Sequence, residues 1–297
     1  MSIREGKIMA LAGGVDFANK SKEELKDIFK KVLNNGMHGL CFSPYKEGQK
    51  PGDILSENQI RRRMEIIKPY TKWVRSFSCI EGNELIPMIA KEFGIKTLVG
   101  AWLGKDPEKN EQEIAALIKL ANDGYVDIAA VGNEVLYRNE LSEDELLVFI
   151  KRVKKEIKHI PVGYVDAYYE FSNRPKITEA CDVILANCYP FWECCHLDYS
   201  LMYMKQMFYQ ALHAGGGLKQ VIITETGWPS EGEDYKGALP SFENAMKYFI
   251  NTQLWSKEED IEIFHFTSFD ESWKVGSEGD VGACWGIWDK NENFKYL

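Results

Sequence analysis

The chain has 297 residues, of which 45% are hydrophobic and 27% charged, and its formal net charge is -9. Its length and apolar content are sufficient for one large domain or two small ones, and no segment approaches the roughly 18 apolar residues of a membrane span. The acidic balance, with Lys and Arg spread along the chain, argues against nucleic acid or a membrane as partner. We therefore predict a soluble, monomeric globular protein with a neutral or cationic partner.

The cysteines show no disulfide framework. There are seven, at positions 41, 79, 181, 188, 194, 195 and 284, and none forms a C-x-x-C pair. An odd number without such spacing is typical of free thiols in a reducing compartment. Cys194, Cys195 and His196 lack further ligands at zinc spacing, so no metal site is predicted. The apolar run near the start is broken by glycines and does not resemble a signal peptide, which favours a cytoplasmic protein.

Short apolar segments alternate along the chain with amphipathic segments of helical length. Runs such as "TLVGAW", "VDIAAVGN", "CDVILANCY" and "VIITETGW" suit strands buried on both faces of a parallel sheet. In chain order, strands are predicted near residues 37–43, 72–78, 95–101, 126–133, 161–166, 181–189, 220–226 and 262–269. Eight such units predict an α/β fold, a (β/α)8 barrel over residues 21–297 without a large subdomain at helix 6, with a doubly wound sheet as the alternative. Residues 1–20 form an N-terminal extension that we cannot assign.

Capping boxes predict where several helices begin. Each pairs a polar N-cap residue with Glu or Gln three positions later, so that two backbone N–H groups are satisfied reciprocally. The pairs are Ser21 with Glu24, Ser56 with Gln59, Asn110 with Glu113, and Ser142 with Glu145.

Two glutamates stand where predicted strands end, which is where a barrel carries its chemistry. Glu134 follows the fourth strand in "AAVGNEVLY", and Glu225 closes the seventh in "VIITETGWP". Each alone reads as a solvated loop residue or a charge at a helix N-terminus. Because the fourth and seventh strands open onto one mouth, the two carboxyl groups can converge on one pocket, one as an acid and one as a nucleophile. The pair is a candidate catalytic site.

The chain resembles glycoside hydrolase family 17, the β-1,3-glucanases and β-1,3-glucanosyltransferases of clan A. "VGNEV" at 131–135 and "ITETGWPS" at 223–230 are similar to its two signature motifs. The resemblance extends along most of the chain through "GLCFSPYKEGQKPG", "VRSFSCIEGNE", "ANCYPFW", "FDESWK" and "WGIWD". Compact bacterial members look more similar than plant members.

The resemblance implies a mechanism for the two glutamates. Glu134 would be the general acid/base and Glu225 the nucleophile of a retaining double displacement, with the carboxyl groups roughly 5 Å apart. The nearby anion should raise the pKa of Glu134. The implied substrate is a neutral β-glucan polysaccharide or oligosaccharide, and the chemistry requires no metal or organic cofactor.

Further residues have both a functional and a structural interpretation. By resemblance, Asn133 would bond the sugar 2-hydroxyl, although it could instead cap the next helix. Tyr189 could reach the nucleophile's oxygen or be a half-buried rim residue. Glu271 and Lys274 match an acidic and basic pair of the family, or form a surface helix pair. Arg75 could hold a carboxylate by a bidentate pair, or form a structural ion pair.

Aromatic residues after the strand ends could stack on sugar rings or pack the barrel rim. They are Trp102, Phe191, Trp192, Trp228 and Trp273. The segment between the sixth and seventh strands is short, so endo cleavage, exo cleavage and transfer all stay open. Phe77 stands where many family members have tyrosine, so we expect one polar contact to the sugar to be missing. We therefore expect a retaining β-1,3-glucan hydrolase, with a glucanosyltransferase or a non-catalytic glucan-binding barrel as alternatives.

Overall fold

A computed structural model describes residues 13–276 and 278–297, so the first twelve residues of the predicted N-terminal extension lie outside it. Its parallel strands pair in chain order, and the eighth pairs with the first to close a barrel. The strands are β1 Met37–Cys41, β2 Thr71–Ser76, β3 Lys96–Ala101, β4 Ile128–Asn133, β5 Val162–Ala167, β6 Val183–Asn187, β7 Val221–Thr226 and β8 Ile263–His265. The (β/α)8 prediction is confirmed, and the doubly wound sheet is excluded.

Helices connect successive strands and cover the outside of the barrel. They are α1 Lys22–Asn34, α2 Glu57–Ile67, α3 Leu85–Glu92, α4 Pro107–Asn122, α5 Glu143–Glu156, α6 Glu170–Asn173, α7 Pro175–Ala180, α8 Leu197–Ala214 and α9 Phe242–Glu258. The capping boxes at Ser21, Ser56 and Ser142 are confirmed, since each serine accepts the predicted N–H. In the described ranges, no helix combines the length and apolarity that crossing a membrane would require.

The capping box predicted at Asn110 is wrong. Helix α4 begins four residues earlier than this box predicts, where Asp106 accepts hydrogen bonds from the N–H groups of Glu108 and Lys109 and Pro107 occupies the first turn. An aspartate N-cap followed by proline is a stronger start signal than the asparagine. Asn110 and Glu113 are instead buried inside the helix, and their side chains bind the loops that follow β3 and β2.

The strands of the barrel wall are largely buried on both faces. Every residue of β4 and β7 is buried, as the continuous apolar runs predict. The pairing register shifts near the carboxyl ends of both strands, between Ala130 and Asn133 and between Ile223 and Thr226. Irregularities of this kind re-aim side chains at barrel rims. The two candidate glutamates lie at these irregular ends.

Candidate active site

Glu134 stands on a strained turn directly after β4. Its φ of 51° lies in the left-handed region, and Gly132 before it has a φ of 88°. Such a conformation costs a non-glycine residue on the order of 1–3 kcal/mol and clusters at functional sites. The Glu134 N–H donates to the carbonyl oxygen of Val165 on β5 at 2.8 Å, which anchors the turn to the barrel.

Glu225 lies within β7, and its buried carboxylate is fully engaged. Its Oε1 accepts hydrogen bonds from Arg75 Nη1 at 2.5 Å and Asn187 Nδ2 at 3.1 Å, and its Oε2 accepts from the Tyr189 hydroxyl at 2.8 Å. The chain leaves the site through Gly227, where a Cβ would collide with the Phe266 carbonyl oxygen. The charge of Glu225 is therefore compensated by three donors, which come from β2, from β6 and from the loop that follows β6.

Asn187, the last residue of β6, joins the two glutamates. Its Nδ2 also donates to Glu134 Oε1 at 2.8 Å, while its Oδ1 accepts from the Thr224 hydroxyl at 2.9 Å. Because one nitrogen contacts both carboxyl groups, the bonded Glu134 and Glu225 oxygens are at most about 6 Å apart, so the two groups face each other across a short gap. Residues far apart in sequence thus form one carboxyl pair.

The two carboxyl groups lie in different environments. Burial raises the pKa of Glu134 to about 7, and the negative charges of Glu225 and Asp166 act in the same direction. The Asn187 hydrogen bond and the Arg75 charge oppose this rise. Near neutral pH, Glu134 can therefore exchange a proton, while the Glu225 carboxylate accepts hydrogen bonds from its three donors.

Arg75 connects β2 to both signature segments. Its guanidinium is buried over the Phe77 ring at 4.2 Å, and its Nη2 donates to Asn133 Oδ1 at 2.7 Å. The predicted bidentate pair is wrong, because only Nη1 contacts Glu225 and the second nitrogen holds Asn133. The helix-cap interpretation of Asn133 also fails, since its side-chain oxygen faces this arginine.

We expect Arg75→Met to lower the free energy of unfolding by about 3–5 kcal/mol, because it removes the guanidinium that pairs with the buried Glu225 carboxylate. Urea unfolding measures the loss. The matched control is Arg61→Met, which breaks exposed pairs with Glu57 and Glu92 and should change stability little. Equal, small losses in both variants would show that the buried Arg75–Glu225 pair contributes little to the free energy of unfolding.

A second charged group lies at the cleft after β8. Lys274 Nζ is 3.6 Å from Glu271 Oε2 and 3.6 Å from Glu278 Oε1, and it lies over the Phe266 ring at 4.1 Å. Burial raises the pKa of both glutamates, and the Lys274 charge opposes that rise. Sequence reasoning missed Glu278, although its spacing of four residues from Lys274 was a usable signal.

The cleft has two lobes, and Glu134 and Glu225 line both of them. The first encloses about 610 Å³, and its aromatic lining is Tyr137, Tyr168, Tyr169, Tyr189, Trp192, Tyr235, Phe266 and Trp285. The second encloses about 520 Å³, and its aromatic lining is Phe42, Tyr45, Phe77, Trp102, Phe266 and Trp273. Of the predicted aromatic residues, Trp102, Trp192 and Trp273 lie at the cleft. Most of the tyrosines were missed, although "DAYYE" after β5 was a signal.

Phe191 and Trp228 do not line the cleft, contrary to prediction. Phe191 has no exposed surface and Trp228 is 2% exposed. Their rings pack edge to face at 5.2 Å, and the Trp228 Nε1–H donates to the Leu239 carbonyl oxygen at 2.9 Å. They form the layer behind Trp192, so their role is to support the wall of the first lobe.

The described residues contain neither a disulfide bond nor a cluster of metal-ligating side chains. All seven cysteines lie in the described part of the chain and are unpaired. Within residues 13–276 and 278–297, no three His, Cys, Asp or Glu side chains cluster in a way that could hold a metal ion.

A (β/α)8 barrel with a bridged pair of carboxyl groups at the ends of β4 and β7 has the fold and the kind of site that glycoside hydrolases use. The family model of the BtgE/BtgC glycoside hydrolase domain matches residues 39–286. The chain belongs to this family.

Proteins similar to this chain have names that refer to enzymes acting on glucans. The chain is 26% identical over 299 residues to a glucan 1,3-beta-glucosidase of Schizosaccharomyces pombe, covering 94% of this chain and 91% of the relative. A Candida albicans glucan 1,3-beta-glucosidase is 26% identical over 258 residues, covering 78% and 83%. A Rhizomucor miehei beta-1,3-glucanosyltransferase, an active-site mutant in complex with laminaritriose, superposes with a TM-score of 0.79 at 28% identity over 88% of this chain and 96% of that one. These relatives are fungal, so similarity to bacterial members stays a prediction.

Proposed function

We propose that the protein cleaves β-1,3-glucosidic bonds of a neutral glucan or of laminari-oligosaccharides with retention of anomeric configuration. The observation that carries this proposal is the Asn187 bridge, because one amide nitrogen that contacts both Glu134 and Glu225 favours the closely spaced carboxyl pair of retaining enzymes. The names of the relatives support the linkage, since they refer to glucan 1,3-beta-glucosidases and a glucanosyltransferase bound to laminaritriose.

The proposed reaction has two displacements. In the first, Glu134 donates its proton to the glycosidic oxygen while a Glu225 oxygen bonds to the anomeric carbon, and the leaving sugar departs as an alcohol. In the second, Glu134 takes a proton from water, the water oxygen bonds to the anomeric carbon, and the bond to Glu225 breaks. Each displacement inverts the anomeric carbon, so the product retains the original configuration.

The surrounding residues would orient this chemistry. Arg75 and Tyr189 hold the Glu225 carboxylate, and Arg75 also places the Asn133 amide, which we assign to the 2-hydroxyl of the reacting sugar. Lys274 contributes positive charge at the same cleft. Trp102 and Trp192, in opposite lobes, offer apolar ring faces on which sugars could stack.

Glucanosyl transfer is the second candidate function. The aromatic lobe of about 610 Å³ offers room and stacking surfaces for an acceptor sugar beside the carboxyl pair. The similar Rhizomucor miehei protein is named a glucanosyltransferase. In that reaction a sugar hydroxyl replaces water in the second displacement, and the same glutamates serve.

We expect the first product released from laminari-oligosaccharides to be the β-anomer, followed by slow mutarotation. Proton NMR of the anomeric region during the first minutes measures this. Chromatography of products from laminarin, barley mixed-linkage glucan and linear β-1,6-glucan tests linkage, and at high oligosaccharide concentration chains longer than the substrate reveal transfer. Initial release of the α-anomer, or cleavage of the β-1,6-glucan alone, would overturn the proposal.

A further inference from the structure

Asp166 is a fully buried carboxylate near the site that the proposed reaction does not use. It is the penultimate residue of β5. Its Oδ1 accepts from the Ala167 N–H at 2.8 Å, and its Oδ2 accepts from the Tyr164 hydroxyl and from the Tyr137 N–H at 3.4 Å. A buried carboxylate is costly to keep, and this one is directed at the backbone that follows Glu134.

These contacts tie the Glu134 turn to β5. The Tyr164 hydroxyl accepts from the Leu136 N–H at 3.0 Å, while Asp166 receives the N–H of the next residue, Tyr137. Together with the Glu134 N–H bond to Val165, three backbone donors of the turn bind to β5. A glutamate keeps a left-handed backbone conformation only when surrounding contacts hold it there. These three hydrogen bonds provide such contacts for Glu134.

We propose that Asp166 is a positioning residue for Glu134: with Tyr164 it holds the turn that carries Glu134, and it maintains a second negative charge near that carboxyl group. The proposal rests on the proposed role of Glu134 as the acid/base. Asp166 itself touches no reacting atom. Its effect on the reaction passes through Glu134.

The charges around the pair define the expected pH behaviour. Glu134 faces the anions Glu225 and Asp166 and the cation Arg75. The charged and titratable groups facing Asp166 are Tyr164, Tyr169, Glu170, Arg174 and Glu134. Burial raises the pKa of Asp166 to about 6, with the Tyr164 hydrogen bond opposing the rise. Asp166 is thus mostly ionised at pH 7 and favours the protonated form of Glu134.

The test is a titration of Glu134 by NMR with carboxyl-labelled glutamate, the resonance being assigned by its loss in Glu134→Gln. Asp166→Asn removes the charge, so the pKa of Glu134 should fall by at least about 0.5 pH unit. The matched control is Glu113→Gln, another buried carboxylate of the cleft, which binds Ser78 and Cys79 and not the Glu134 turn. An unchanged pKa in Asp166→Asn, or an equal fall in the control, would overturn the proposal.

A second variant tests the link through the hydroxyl. Tyr164→Phe keeps the Asp166 carboxylate but removes the acceptor of the Leu136 N–H, so kcat should fall about tenfold or more with KM within about twofold. Wild-type kcat would contradict the positioning role. In Asp166→Asn the alkaline limb of kcat/KM should also move to lower pH. The NMR titration needs no turnover, so it still decides on Asp166 if the protein proves inactive on β-1,3-glucans.

Discussion

Replacing Glu225 with glutamine should lower kcat on laminari-oligosaccharides by about four orders of magnitude or more. An amide of nearly the same shape cannot form the glycosyl ester, so the first displacement stops. The change leaves the aromatic residues of both lobes in place, so laminaritriose should still bind. Steady-state rates and calorimetric titration with laminaritriose, done on the same preparation, separate the two effects.

The matched control for Glu225→Gln is Glu193→Gln. Glu193 also lines the cleft, but its carboxylate accepts from the Tyr203 and Tyr168 hydroxyl groups and lies outside the Asn187 bridge. It should retain kcat within about tenfold. If Glu225→Gln turned over at a rate close to that of Glu193→Gln, Glu225 could not be the nucleophile.

The fold was predictable because strands that are buried on both faces appear in the sequence as continuous apolar runs. A strand covered on two sides must be apolar throughout, and the ends of the first seven strands fall within about two residues of the predicted runs. The eighth strand ends at His265, four residues before the predicted end at 269. Local start signals worked where serine caps were backed by Glu or Gln. The error at Asn110 arose because two start signals competed within one segment, and spacing alone did not rank them.

The candidate site was predictable only in part. Glu134 and Glu225 were found because a charge at the end of a buried strand is anomalous, whereas Asn187 closes β6 with a small neutral group that gives no such signal. Asp166 near the end of β5 does carry this signal, but it was missed. The importance of Asn187 and Asp166 depends on contacts across the barrel and on a left-handed φ, neither of which sequence spacing records. Phe191 was misplaced for a related reason, since the position of an aromatic residue after a strand does not give its direction.

Replacing Glu134 with glutamine should lower kcat on laminari-oligosaccharides by about 10²–10⁴-fold, because a sugar alkoxide is a poor leaving group without a proton. An aryl laminarioside whose phenol is acidic needs no such proton. On that substrate the first displacement in Glu134→Gln should stay within about tenfold of wild type, as a burst of phenol in stopped-flow absorbance. The same burst should be absent from Glu225→Gln, so the two variants report on different steps.

The pH dependence of kcat/KM tests independently whether Glu134 is the general acid. A general acid acts while protonated, and burial beside Glu225 raises the pKa of Glu134 to about 7. Wild-type kcat/KM on laminari-oligosaccharides should therefore be sustained below about pH 7 and fall tenfold per pH unit above it. Glu134→Gln has no proton to lose, so its residual activity should lack that alkaline limb. A limb that persisted in the variant would assign the proton to another group, because Asp166, Glu271 and Glu278 are also buried at or near the cleft with raised pKa values.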